Sequence, residues 1–301
     1  MTRTAYLKGW CDPLHMTSAV TQTYLELKNF PDISPEAFEV IRRIMKNACG
    51  VNLDSYKDKC IKRRIALRVR ATNCITAEEY CDLLLRDEEE VDRLLKVLTI
   101  HVSQFFRNPP MFEKLRQEIF PFLFTLPEIN VTGGLTVWSV GCASGEEPYT
   151  VALLLRHFFA SELGRIGATI LATDVDAAIL EAAREGIFGE ERLVEVSAEL
   201  RRKYFVQRDG RYQVVPEIKS LVEFRQADLG HLDTFPECDL ILCRNVFIYF
   251  ERSQQEAILH GFADKLHPGG VLILGKSESL VGDVRSRFQT ICPVERIYRR
   301  V

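Results

Sequence analysis

From Leu135 onward, short β-type runs alternate with helical segments, and this alternation restricts what the chain can fold into more than any other feature. Residues 135–140, 168–173, 240–243 and 271–275 read as strands, and residues 146–163, 177–185 and 253–266 read as helices between them. A strand that returns through a helix pairs in parallel with its predecessor, so the pattern predicts a parallel sheet covered by helices on both faces. Two stretches depart from it. Residues 204–215 predict a hairpin turning at Asp209-Gly210, within an insertion spanning about 204–222. Residues 288–299 alternate around Pro293 and predict a closing antiparallel pair.

The first third reads as helix throughout. Ser34 is a capping residue with Pro35 at the first helical position, Phe38, Ile41, Ile44 and Met45 recur at helical spacing, and Gly50 stops the run. Over 56–70, Ile61, Ile65 and Val69 repeat every four residues, while Lys59, Lys62, Arg63, Arg64, Arg68 and Arg70 make the remaining surface basic. Thr76 and Glu79 form a capping box ahead of Tyr80, Leu83 and Leu84, and residues 90–98 continue the helical pattern. Residues 109–124 read as a linking helix, and Thr132-Gly133-Gly134 as a turn. The expected division is a leader (1–33), a helical domain (34–108), a linker (109–134) and an α/β domain (135–301) carrying the β-insertion.

Global charge excludes little, and locally placed groups must carry any recognition. A net charge of −3 gives no reason to expect nucleic acid. No run approaches the roughly 18 apolar residues that insert into a bilayer, and the leader lacks the basic start and apolar stretch of a signal peptide, so the expected location is the cytoplasm. The nine cysteines are scattered without a C-x-x-C pair, which argues against structural zinc or a disulfide framework.

The segment V-W-S-V-G-C-A-S-G-E-E-P-Y, Val137 to Tyr149, carries the most chemistry. It is a strand, a turn of small residues and a helix start, placed where open α/β folds bind cofactors. Gly141, Ala143, Ser144 and Gly145 let a ligand approach the backbone. G-x-G-x-x-G is absent, and Glu146 and Glu147 at the helix start would repel a pyrophosphate that this terminus otherwise attracts. Carboxylates there suit a ligand carrying positive charge, such as S-adenosylmethionine, although they also stabilise a helix N-terminus without any ligand. Asp174, at the end of the next strand, is placed to accept hydrogen bonds from ribose hydroxyls, and Asp176 can cap the following helix. Asp228-Leu229 follows a third strand and is placed to face an adenine ring. Arg244 and Asn245 interrupt an apolar run where a buried strand would tolerate neither.

In combination these residues resemble the CheR-type chemoreceptor methyltransferases. The likeness runs from about Ser34 to the end and rests on five motifs in order: L-T-I-H-V-S-Q-F-F-R (Leu98 to Arg107), G-C-A-S-G-E-E-P-Y (Gly141 to Tyr149), A-T-D-V-D (Ala172 to Asp176), C-R-N-V-F-I-Y-F (Cys243 to Phe250) and L-H-P-G-G-V-L-I-L-G-K-S-E (Leu266 to Glu278). The resemblance implies a Rossmann-like, S-adenosylmethionine-dependent methyltransferase sheet of the α/β class, an N-terminal all-helical domain and a small inserted antiparallel β-subdomain. It implies cofactor contacts, to S-adenosylmethionine and its product S-adenosylhomocysteine, from His101, Ser103, Arg107, Glu147, Asp174, Asp228, Leu229, Arg244 and Asn245. Arg107 and Tyr249 match positions beside the methyl acceptor. His101 stands where the family usually has asparagine and Ser103 where it usually has threonine; both can hydrogen-bond, but a histidine also titrates near neutrality.

The activity so implied is esterification of glutamate carboxylates on the cytoplasmic helical bundle of chemoreceptors, with no metal. The basic helix, through Lys59, Lys62, Arg63, Arg64, Arg68 and Arg70, would meet the acidic methylation helices. The short loop at Asp209-Gly210 implies methylation independent of a receptor's C-terminal pentapeptide tether. Two other readings stay open: another acceptor, whether a signalling protein or a small acid, and a regulatory module that binds the cofactor without turnover.

Overall fold

The computed structural model describes residues 31–99, 103–127, 129 and 133–301. Most of the leader and His101 lie outside the described residues.

Helix α1 (Pro35–Cys49) begins where the Ser34 hydroxyl accepts the Ala37 N–H at 3.1 Å and ends at Gly50, whose φ of 70° is the left-handed cap. Helices α2 (Asp58–Ala71), α3 (Ala77–Arg86) and α4 (Glu88–Leu98) complete the helical unit. They bury Phe38, Ile41, Met45, Ile65, Val69, Tyr80 and Leu94 in a core of their own. Helix α2 starts two residues later than the periodicity predicts. Tyr56 instead bridges to Phe250 of the α/β unit and stacks on its ring at 4.7 Å, while Lys57 N–H donates to the Tyr249 carbonyl at 2.8 Å.

The linking helix is not uniform: a π turn over Leu115–Ile119 separates Pro109–Lys114 from Phe120–Leu123. Pro121, which has no N–H to give, sits just after it.

The main sheet has seven strands in the order β6 (Val222–Gln226), β2 (Ala168–Asp174), β1 (Leu135–Val140), β7 (Cys238–Cys243), β8 (Leu266–Leu274), β10 (Ile297–Arg300), β9 (Phe288–Cys292). The first five pair in parallel, and β10 and β9 close the edge antiparallel, as the alternation around Pro293 predicts. The chain winds outward from β1 to β6 and returns to β7 on the other side of β1, so the strand order reverses between β1 and β7. The segment predicted as one helix over 146–163 is two, α5 (Glu146–Phe158) and α6 (Ala160–Ile166). They break at Phe159, which packs on Phe120 and Phe124 at 5.5 and 5.4 Å between ring centres.

The small antiparallel sheet has three strands, β3 (Ile187–Phe188), β5 (Arg211–Val214) and β4 (Phe205–Arg208). Asp209 and Gly210, both at positive φ, make the two-residue turn between β4 and β5. The third strand comes from upstream of the expected 204–222 stretch, and Val222–Gln226 joins the main sheet instead. The α/β architecture, with its helical N-terminal unit and inserted sheet, is therefore the one expected. Among the described residues no helix is long and apolar enough to cross a membrane.

Candidate functional site

A cleft with two lobes opens at the carboxyl ends of β1, β2, β6 and β7, at the reversal of strand order where open sheets bind ligands. The first lobe, of about 680 Å³, is lined by Gly141 and Ala143 after β1, Asp174 on β2, Asp228 and Leu229 after β6, and Asn245 and Tyr249 after β7. The second, of about 730 Å³, shares Gly141, Ala143, Asn245 and Tyr249 and adds Ser103, Arg107, Glu147 and Arg244.

The backbone is wound to expose this cleft. Gly141 has a φ of 64°, and a Cβ there would lie 2.6 Å from Val246 Cγ2, so only glycine fits. Ala143 and Asn245 also take positive φ, at 48° and 62°. Asp174 is 7 % exposed; one of its oxygens accepts the Ala143 N–H at 2.9 Å and the other the Asp176 N–H at 3.1 Å. Its carboxylate thus fixes the turn after β1 while facing the lobe. Asp228 accepts the Gly230 N–H at 2.8 Å and reaches toward Asn52 of the helical unit at 3.5 Å. The helical unit also supplies Tyr56, Leu98 and Thr99 to this wall. Burial, reinforced by Asp228 and Asp174, pushes the Tyr56 hydroxyl well above its ordinary pKa, so it stays a neutral donor.

In the second lobe Glu147 accepts from Ser139 Oγ at 2.8 Å and from Arg244 Nη1 at 2.9 Å. The other Arg244 nitrogen donates to the Arg107 carbonyl at 2.6 Å, and its guanidinium lies over Phe112 at 5.5 Å. Arg244 therefore ties β7 to the loop bearing Arg107. That loop is strained, with Phe106 and Asn108 at φ 54° and 73°, and it is held on both sides. Phe106 N–H donates to Thr150 Oγ1 at 3.1 Å, and Asn108 Nδ2 donates to Glu295 at 2.5 Å. Phe105 is buried edge-on against Phe188 and Phe205 of the small sheet, while Arg192 donates to the Ser103 carbonyl.

Ser103, Arg107, Gly141, Glu147, Asp174, Asp228, Leu229, Arg244, Asn245 and Tyr249 thus converge on one cleft. Glu146 does not: it is fully buried and lines neither lobe, which corrects its expected place in the site. Ser144 Oγ donates to it at 2.9 Å and Arg192 lies 3.3 Å away, so it fastens the helix start to the segment between β3 and β4. Burial pushes its carboxyl up, against the pull of its own backbone N–H, Ser144, Arg192 and Ser103. Adjacent residues on a helix point about 100° apart, so only one of the two glutamates can face the cleft. Tyr56, Leu98, Thr99 and Phe112 line it without having been singled out as site residues. Leu98 and Thr99 open the first of the five motifs, whereas nothing in the sequence marks Tyr56.

The basic residues of α2 divide by what they touch. Arg68 donates twice to Glu90, at 2.9 and 2.6 Å, and is committed to the helical core. Lys62 lies over the Phe38 ring, and Arg64 lies 4.8 Å from the Tyr249 ring centre and donates to the Leu98 carbonyl. Lys59, Arg63 and Arg70 are exposed, with Leu67 between them.

These residues fit S-adenosylmethionine. The first lobe offers carboxylates for hydroxyls beside an apolar wall, and Gly141 lets one elongated molecule pass from it to the second. Among the described residues, Glu256, His260 and Asp283 form the grouping with metal-ligand character, and they line neither lobe.

Comparison with known proteins agrees with this geometry. Residues 36–99 match the family described as CheR methyltransferase, all-alpha domain, and residues 101–295 match CheR methyltransferase, SAM binding domain. A chemotaxis protein methyltransferase of Listeria innocua is 35 % identical over 83 % of this chain and 92 % of its own. Chemotaxis protein methyltransferase 2 of Pseudomonas aeruginosa is 32 % identical over 85 % and 92 %. A chemotaxis protein methyltransferase of Borreliella burgdorferi is 30 % identical over 84 % of this chain and 91 % of its own. With both domains matched in order across nearly all the described residues, the chain belongs to the CheR methyltransferase family.

Proposed function

We propose that this chain transfers a methyl group from S-adenosylmethionine to glutamate side chains of chemoreceptors, forming glutamate methyl esters. The observation that carries the reading is the makeup of the second lobe. There Arg107, Arg244, Glu147 and Tyr249 line one lobe, so two guanidinium groups and a phenol, each able to donate to a carboxylate, meet beside the carboxylate that anchors Arg244. The relatives named chemotaxis protein methyltransferase support the choice of a chemoreceptor.

In this reading Asp174 takes the ribose hydroxyls, Leu229 and Asp228 face the base, and Glu147, Arg244 and Ser103 hold the amino-acid end. When bound, S-adenosylmethionine supplies a methyl group attached to a positively charged sulfur. A glutamate side chain is already ionised at neutral pH, its ordinary pKa being about 4.3, so no residue of the cleft has to remove a proton. The work left to Arg107 and Tyr249 is alignment: the guanidinium holds one acceptor oxygen and the phenol directs the other. Leu98, Thr99 and Tyr56, from the helical unit, keep water from the first lobe.

The test is incubation with receptor cytoplasmic fragments and isotopically labelled S-adenosylmethionine, followed by peptide mass spectrometry. The expected product is a base-labile methyl ester on glutamate. Label on another protein or a small acid would replace the acceptor, and binding without label would leave a regulatory module.

Docking is assigned to the exposed residues of α2. Charge reversal of Lys59 and Arg63 together is expected to raise KM for an acidic helical substrate by about tenfold and to flatten its dependence on salt. Steady-state kinetics at two ionic strengths checks this, with kcat at saturation unchanged.

A further inference from the structure

We propose that Glu278 is a positioning residue whose carboxylate grips, through backbone N–H groups, the turn that presents Asn245 and Tyr249 to the cleft. The turn begins where β7 ends at Cys243; its far end is held by the Tyr56–Phe250 bridge and by Gln255 Nε2, which donates to the Phe247 and Phe250 carbonyls, whereas its near end, at Asn245, is where Glu278 takes hold. Glu278 lies outside both lobes and is 5 % exposed. Its Oε2 accepts the Asn245 N–H at 2.9 Å and the Gly275 N–H at 2.7 Å, and its Oε1 accepts the Phe247 N–H at 2.8 Å. One side chain thus spans the end of β8 and both halves of the turn.

The geometry around it is built for this grip. Asn245 takes its φ of 62°, which costs a non-glycine residue energy, and the bond to Oε2 holds it there. A Cβ on Gly275 would lie 2.6 Å from Oε2 and 2.8 Å from the Asn245 nitrogen, so β8 approaches closely enough only with glycine at that position. Phe247 is buried and starts the short helix Phe247–Tyr249, so its N–H fixes the base from which Tyr249 projects. Burial pushes the Glu278 carboxyl up, while the N–H groups of Asn245, Gly275, Phe247 and Ile248 pull it down. A buried acceptor surrounded by donors is the arrangement whose loss leaves polar groups stranded.

The two oxygens serve different parts of the site, which gives the proposal a specific signature. Glutamine has one acceptor oxygen. Placed at the Oε2 position it keeps Asn245 and Gly275 and turns an NH₂ group against the Phe247 N–H. Glu278→Gln should therefore disturb Tyr249 and spare Asn245. Aspartate keeps the charge but withdraws it from both.

The inference rests on Tyr249 acting at the methyl acceptor, and the test separates the two. Affinity for S-adenosylhomocysteine by calorimetry, and kcat and KM for transfer, are measured for Glu278→Gln and Glu278→Asp. For Glu278→Gln we expect affinity within about threefold of wild type and kcat lowered by about tenfold, while Glu278→Asp loses about tenfold in both. In a Tyr249→Phe background, Glu278→Gln should cost little more, because the two changes remove one effect. Wild-type kcat in Glu278→Gln, or fully additive losses in the double variant, would overturn the proposal. If Glu278→Gln does not fold, Gly275→Ala takes its place, since its methyl group presses on the same oxygen; unchanged affinity and kcat there refute the grip. Should the wild-type protein methylate no receptor fragment, the acceptor reading fails. Glu278 is then still decided by affinity, which must drop for aspartate and hold for glutamine.

Discussion

Replacing Arg107 by alanine is expected to lower methyl transfer by on the order of 10²-fold while leaving the fold intact. The side chain is exposed at the rim of the second lobe, so its removal opens no core cavity. The loop should keep its shape, because what Arg244 holds is the Arg107 backbone carbonyl, which alanine also has. Phe105, Phe106 and Asn108 anchor the loop independently. What disappears is the planar fork that can grip a carboxylate. Lysine should restore part of the rate, through charge, without the bidentate geometry. Initial rates with a receptor fragment, beside thermal melts, check the outcome. Turnover at the wild-type level would remove Arg107 from the acceptor's neighbourhood.

The second large effect concerns stability. Arg68→Ala should cost the helical unit about 3 kcal/mol, at the lower end of what breaking a buried ion pair costs. Glu90 is 1 % exposed and receives both Arg68 bonds and the Tyr80 hydroxyl at 2.8 Å. Without Arg68 its charge stays buried with Tyr80 and with Arg93, 3.6 Å away and half exposed. Arg93 offsets part of the loss, hence the choice of the lower figure. Lys59→Ala and Arg63→Ala, on the exposed face, should shift stability by at most about 0.5 kcal/mol. Urea unfolding of the three variants separates the roles. An Arg68→Ala midpoint equal to that of wild type would mean that water reaches Glu90.

This contrast also marks where the sequence stops being informative. Ile61, Ile65 and Val69 reveal which face of α2 is buried, because helical periodicity is local. That Arg68 belongs to the core depends on Glu90, which arrives from another helix, so the basic run reads as a single surface until the helices are packed. Strands β1, β2, β7 and β8, the Asp209-Gly210 turn and the Gly50 cap were legible for the same local reason, whereas the two-residue β3 is too short to leave a pattern. So was the cleft, since small residues, Asp174 and the Arg244-Asn245 pair all fall at strand ends. Glu146 and Glu147 were not separable: Gly145, at a φ of 93°, sets the phase of the helix, and with it which glutamate turns inward. Tyr56 enters the wall only because a β-bridge with Phe250 draws it there, and no motif announces such a contact.

That bridge binds two destinies together. Leu98, Thr99 and Tyr56 belong to the unit whose basic helix is proposed to dock the partner, yet they also line the first lobe, the half of the cleft proposed for the nucleoside. Exchanging the helical unit between related chains would therefore transplant a piece of the cofactor's enclosure along with the docking face. If the proposed roles hold, partner choice and cofactor retention cannot be tuned as separate modules.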